Sequence, residues 1–228
     1  KYNSLNSFIE SLKKGVFEEY KVFKDLGLYD DGNERQQISS GILQIENELY
    51  DSIRPKRKGA SEKRPIELLS SEGIEYVEVR GIDLSPNTLT GISKSEMRLL
   101  DVFLIHCLIK ESELMSQSEY DEMNKNYEIA IHSGSDLEQK LSFNGLESSI
   151  RNRISSISEE LLIIAKELNS VDPEFEKSVS YCLNMENKSR HLLNNILESN
   201  ESFTENILQE SINEMNTLRG AKLKNETI

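Results

Sequence analysis

Tryptophan is absent from this 228-residue chain, and cysteine occurs twice, histidine three times and proline four times. Each scarcity closes off a class of explanation. Cys107 and Cys182 each sit in an apolar helical pattern, with no CxxC pair, no zinc-type histidine spacing and no dense disulfide framework, so a reducing cytoplasm is the expected compartment. No segment approaches ~18 uninterrupted apolar residues, and the N-terminus lacks a signal-peptide profile, so membrane insertion and secretion are not expected. Positive charge is also in deficit. With 27 basic against 40 acidic residues the formal net charge is -13. Nucleic acids and anionic membranes need a basic face, so neither is an expected partner. An anionic ligand would need a local supply of cations, and Arg54, Lys56, Arg57 and Lys58 are the obvious one.

Hydrophobic residues make up 36% of the chain, enough for a core, and much of it reads as helix. Leu5, Phe8, Ile9, Leu12, Val16, Phe17, Tyr20 and Phe23 recur at three- and four-residue steps, predicting one amphipathic helix over 4–26 that stops at Gly27. An Asp-Asp-Gly-Asn turn follows in 29–38. Ser93 and Glu96 form a capping box ahead of a helix over Met97–Ile109, apolar nearly all round and expected to pack against the back of a sheet. Inside that run His106 reads as a core histidine bonded to a backbone group more readily than as a catalytic one. A second box at Ser116 and Glu119 opens a polar helix that ends near His132. Helices are expected over 146–169, 174–198 and 202–218, making the C-terminal half an all-helical scaffold.

The chemistry concentrates between Ile42 and Arg80. If ILQIENELY is extended, Gln44, Glu46, Glu48 and Tyr50 share one face and Leu43, Ile45 and Leu49 the other. In GIEYVEVR, Tyr76, Glu78 and Arg80 line one face, with Val77 and Val79 opposite. Glu78 and Arg80 then lie about 7 Å apart. Two readings stay open. Carboxylates crowded on a partly desolvated sheet face call for a cation, and hard oxygen ligands favour magnesium with substrate phosphates. Alternatively, the face is solvated and its Glu and Arg residues pair across strands for a few tenths of a kcal/mol each. The intervening SIRPKRKGASEKRPIELLSS reads as a loop that could close over a ligand.

The strings LQIENELYDSIRPKR, GIEYVEVRGIDLSP and EMRLLDVFLIHCLI resemble the C-terminal half of the proteobacterial type of glutamate-cysteine ligase. Fifteen consecutive residues with this order of Glu, Asn, Tyr, Arg, Pro and Lys are a specific signal, strongest over about Gln37–Ile109 and thin beyond Glu111. The resemblance implies an α+β fold: antiparallel strands of a glutamine-synthetase-like active-site sheet backed by helices. It implies ATP as substrate, Mg2+, and activation of the γ-carboxylate of L-glutamate as an acyl phosphate that the amine of L-cysteine attacks. By this resemblance Glu78 is a metal-ligand glutamate, Arg80 a phosphate-binding arginine, Tyr50 part of the cysteine pocket and Arg54 a substrate contact, with Glu46 and Glu48 as supporting or structural partners. Such enzymes run to roughly twice this length. The chain therefore resembles a piece that begins mid-domain, inactive without an N-terminal half that supplies most other metal-ligand carboxylates.

The expected organisation is an active-site sheet segment with flanking helices over 1–112, helical scaffold over 113–218 and a disordered tail over 219–228. Two other functions fit the residues: a non-catalytic helical interaction module retaining a ligase-like scaffold, and a carboxylate-amine ligase with another amine acceptor.

Overall fold

The computed structural model describes residues 2–59, 62–85, 88, 90–184 and 202–225. They form two compact units, Lys1–Asp83 with Leu114–Ser116, and Leu84–Glu113 with Gln117–Ile228.

The first unit is built on α1 (Leu5–Phe17), opened by Ser4, whose hydroxyl accepts the Ser7 N–H at 3.1 Å. Its buried stripe of Phe8, Ile9, Leu12 and Val16 packs against Ile66 and Leu69 of α3 (Pro65–Glu72), with Leu5, Leu43 and Leu49 at the margin. Burying each such side chain contributes about 1.5–3 kcal/mol. The single helix expected over 4–26 is broken. Glu18 is extended, Glu19 bridges to Gly41, and the Tyr20 N–H donates to the Ser40 carbonyl at 2.7 Å before α2 (Lys21–Leu26) ends at Gly27, φ 78°. A Cβ on Gly41 would lie 2.3 Å from the Val16 carbonyl oxygen, so this crossing requires glycine. The turn at 29–38 is present, closed by a Tyr29–Arg35 bridge with Asn33 at φ 60°.

The expected strand at 42–50 is not one. Leu43 and Leu49 both reach the core, and Glu46–Glu48 forms a 3-10 turn that sends Glu46 inward, 3% exposed, where a strand would have left it on the wet face beside Gln44. The first strand lies later, inside the presumed loop: β1 (Ile53–Lys56) pairs antiparallel with β2 (Tyr76–Val79), Arg54 opposite Glu78 and Pro55 opposite Val77. The Arg80 N–H donates to the Ser52 carbonyl at 2.7 Å, which makes 52/80, and by alternation 54/78, the hydrogen-bonded positions. Pro55 falls between them, where its missing N–H would face away from β2. An edge strand tolerates proline there. The last part of the presumed loop is helical, since Pro65 starts α3 and the Arg64 N–H donates to Glu67 at 3.2 Å.

In the second unit, α4 (Lys94–Ile109), opened by the expected Ser93/Glu96 box, packs against α6 (Ile150–Leu168) and α7 (Phe175–Leu183) around Val102, Leu161, Ala165 and Val179. Helices α6 and α7 take the place of the expected sheet back, and among the described residues Leu108 and Ile109 at the end of α4 are exposed. His106 meets the Glu160 carboxylate of α6 at 2.6 Å, a side chain where a backbone group was expected. After α5 (Gln117–Ser133) the all-helical expectation fails. β3 (Lys140–Phe143) and β4 (Leu146–Ser149) form a hairpin whose turn, Asn144 (φ 52°) and Gly145 (φ 75°), takes the left-handed pair that favours Asn-Gly. α8 (Phe203–Asn225) runs through 219–225, where a tail was expected. The part of the expected 174–198 helix beyond Asn184, and Pro86 in the turn before α4, lie outside the described residues.

Candidate functional site

The β1–β2 ribbon has two unlike faces because side chains alternate along each strand. Ile53, Pro55 and Val77 border an apolar cavity of about 220 Å³, closed on the other side by Tyr2, Leu5 and Phe8. The Tyr2 hydroxyl donates to Asp51 at 2.6 Å and lies 2.8 Å from the Ile53 carbonyl, tying down the chain just after Tyr50. The opposite face carries Glu78 and Arg80, the residues expected to do chemistry.

There Arg80 holds Glu78, Nη2 to Oε2 at 2.9 Å, and its guanidinium lies 5.1 Å from the centre of the Tyr50 ring, within cation–π reach. Tyr50 itself is 85% exposed, its ring open to whatever approaches Arg80. Arg54, across the ladder from Glu78, is 4% exposed, and its Nε has no acceptor. Tyr50, Glu78 and Arg80 are therefore brought together, and Arg54 stands beside them on the same face. Of the other cations expected to serve a ligand, Arg57 is committed elsewhere: it donates to the Glu72 carboxylate at 3.1 Å and to the Glu72 carbonyl at 2.7 Å. Lys63 and then Arg57 hold the Glu72 carboxyl below its ordinary range.

Glu46 and Glu48, inseparable by sequence, separate in space. Glu46 is a structural carboxylate: Oε2 accepts the Ile66 N–H at 3.3 Å, and Oε1 lies 2.8 Å from Arg64 Nε in an ion pair too poorly angled to be a hydrogen bond. It anchors the positive end of α3. Glu48 turns back on its own loop and accepts the Gln44 N–H. Nothing local in ENELY distinguishes the two. Among the described residues no three His, Cys, Asp or Glu side chains converge as a cation site. Magnesium takes about six oxygen ligands, so Glu78 and its neighbours do not by themselves fit a whole metal site.

The family model for glutamate-cysteine ligase matches residues 1–130, which include every residue of this face. The chain belongs to the glutamate-cysteine ligase family. Similar curated members are the glutamate-cysteine ligases of Buchnera aphidicola subsp. Baizongia pistaciae, 38% identical over 172 residues, and of Pseudomonas savastanoi pv. phaseolicola, 35% identical over 168 residues. The matches cover 75% and 74% of this chain but 33% and 31% of those proteins, so the chain spans about a third of the length of these glutamate-cysteine ligases. A crystal structure of glutamate-cysteine ligase from Francisella tularensis in complex with AMP is similar over 96% of this chain and 44% of that one, with TM-score 0.80 and 25% identity. The α+β class expected for a glutamate-cysteine ligase segment agrees with the helices and two small antiparallel sheets observed here. No described helix is long and apolar enough to cross a membrane.

Proposed function

We propose that this chain is the C-terminal segment of a cytoplasmic, ATP-dependent ligase that joins the γ-carboxylate of L-glutamate to the amine of L-cysteine, the first step of glutathione biosynthesis. In that reaction a γ-carboxylate oxygen attacks the terminal phosphorus of ATP and ADP leaves. The cysteine nitrogen then attacks the acyl carbon, the C–N bond forms, phosphate departs and the amine gives up a proton. Both steps gather negative charge on oxygen, and preorganised cations are the largest stabilising influence available to a protein.

The observation that carries this reading is the convergence of Arg80, Glu78 and Tyr50 on one face of β1–β2, inside the segment matched by the family. Arg80 would receive phosphate oxygens, positioned by Glu78 and the Tyr50 ring. Tyr50, exposed beside it, would offer its hydroxyl to the cysteine carboxylate. Arg54 is the further substrate contact. The AMP bound to the Francisella protein supports nucleotide use here. Magnesium, arriving with the nucleotide, would neutralise phosphate charge; Glu78 would give it one oxygen, and polypeptide beyond these residues the rest. The same division makes the segment inactive without an N-terminal partner half.

The test is ADP release with Mg-ATP, glutamate and cysteine, using the purified chain alone and then with the N-terminal half of a related ligase. Turnover only on complementation is expected, abolished by Glu78→Gln with the fold retained. Wild-type turnover by Glu78→Gln would refute the assignment, and so would a folded chain inactive in both settings. Equal turnover with competing amines would remove cysteine as the acceptor.

A further inference from the structure

Arg54 is the least explained charge among the described residues. It is 4% exposed, its Nε is sealed from solvent without an acceptor, and among the described residues its guanidinium makes no hydrogen bond or ion pair. Arginine does not discharge in proteins, so burial cannot be relieved by loss of a proton. The acid across the ladder does not relieve it either, because Glu78 gives its Oε2 to Arg80. A largely desolvated, unpaired cation is a cost to the empty fold, and Nη1 and Nη2, which unlike Nε are not sealed from water, leave the fork reachable by a ligand. Such a cost is retained where an arriving anion removes it.

The geometry also selects the anion. Arg54 opposes Glu78, and Arg80 lies on the diagonal from it, about 7–8 Å away along the same face. Two guanidiniums and one carboxylate leave this face net positive in a chain of net charge -13. A carboxylate is satisfied by a single guanidinium fork. A phosphoryl group offers three oxygens and can accept from two forks at once.

Resting on the ligase reading above, we infer that Arg54 is an anion-binding residue which, together with Arg80, takes the phosphoryl end of the nucleotide, and that it destabilises the fold until that group arrives. The second clause sets it apart from a structural arginine, whose removal weakens the empty protein.

The experiment is thermal melting of the 228-residue chain and its Arg54→Met and Arg54→Lys variants, with and without inorganic pyrophosphate, and separately with glutamate and with cysteine. Arg54→Met is expected to melt higher than wild type in the absence of ligand. Pyrophosphate at about a hundred times its Kd should raise the wild-type midpoint by about 5 °C or more. That rise should vanish in Arg54→Met and shrink in Arg54→Lys, which keeps the charge and loses the fork. A ligand-free Arg54→Met that melts lower, or fails to fold, overturns the inference. So does a pyrophosphate shift that is absent from wild type or persists in Arg54→Met, or a shift produced by glutamate or cysteine in its place. Turnover on complementation without an Arg54-dependent shift would sink this inference and leave the ligase reading standing; the shift without turnover would do the reverse.

Discussion

Replacing Glu46 tests how the signature ENELY is divided between architecture and chemistry. In Glu46→Ala the Ile66 N–H, on a buried residue, loses its acceptor, which costs about 1–3 kcal/mol. The ion pair with Arg64 is lost as well. Were both partners buried, removing one would cost about 3–5 kcal/mol. The Arg64 side chain is 45% exposed, however, so water takes back its charge and about 1 kcal/mol is the appropriate figure. The total is about 2–4 kcal/mol, read as a midpoint lowered by roughly 4–16 °C in a chain of this size. Glu46→Gln keeps an oxygen for Ile66 and should lose only about 1 kcal/mol. Urea and thermal denaturation of the purified chain measure both. A Glu46→Ala midpoint within about 1 °C of wild type would refute the anchoring role of this carboxylate.

Arg80→Lys, in the complemented enzyme, should raise the ATP concentration needed for half-maximal turnover, because a point charge cannot replace a planar fork; unchanged ATP dependence would count against the phosphate role. Glu122 holds the β3–β4 hairpin to α5 by accepting from the Ser142 hydroxyl and from the Asn144 and Gly145 N–H groups at 2.7 and 3.0 Å. The Ser142 bond above all, then the Gly145 and Asn144 N–H groups, lower its carboxyl from 4.5. Its stabilisation is therefore fully present above pH 4.5 and lost as pH falls through the depressed folded value, so the protection of the Lys140–Ser149 amides, taken relative to the intrinsic exchange rate at each pH, should fall on acidification in wild type and fall less in Glu122→Gln. An equal acid response in both would remove Glu122 from the linkage. Leu161→Ala, in the core with Val102 and Val179, should cost about 2–5 kcal/mol by urea denaturation, and a loss under 1 kcal/mol would mean that this core is not close-packed.

The helix signals that depend on near neighbours were legible. Ser93 with Glu96, the Gly27 stop and the α4, α5 and α6 periodicities all correspond to observed elements, because a cap or an amphipathic stripe is decided within a few residues. The Asn144–Gly145 turn carried an equally local signal, overridden by the apolar spacing that begins at Leu146 and reads as helix. Pro65 followed by Glu67 likewise marked the start of α3 inside the presumed loop.

The sequence by itself determined the family, through an uninterrupted motif, and the shared face of Glu78 and Arg80, through the two-residue period of a strand. Tertiary structure alone decided the rest of the site. Whether Glu46 faces water or Ile66 depends on a helix start 20 residues further along, and the ribbon's first strand is placed by its pairing with β2 rather than by its own alternation. Arg54 is one more basic residue in a basic run until the fold buries it opposite a glutamate that Arg80 already holds. Those outcomes are set by contacts between distant parts of the chain, and a local pattern contains no information about which distant group arrives.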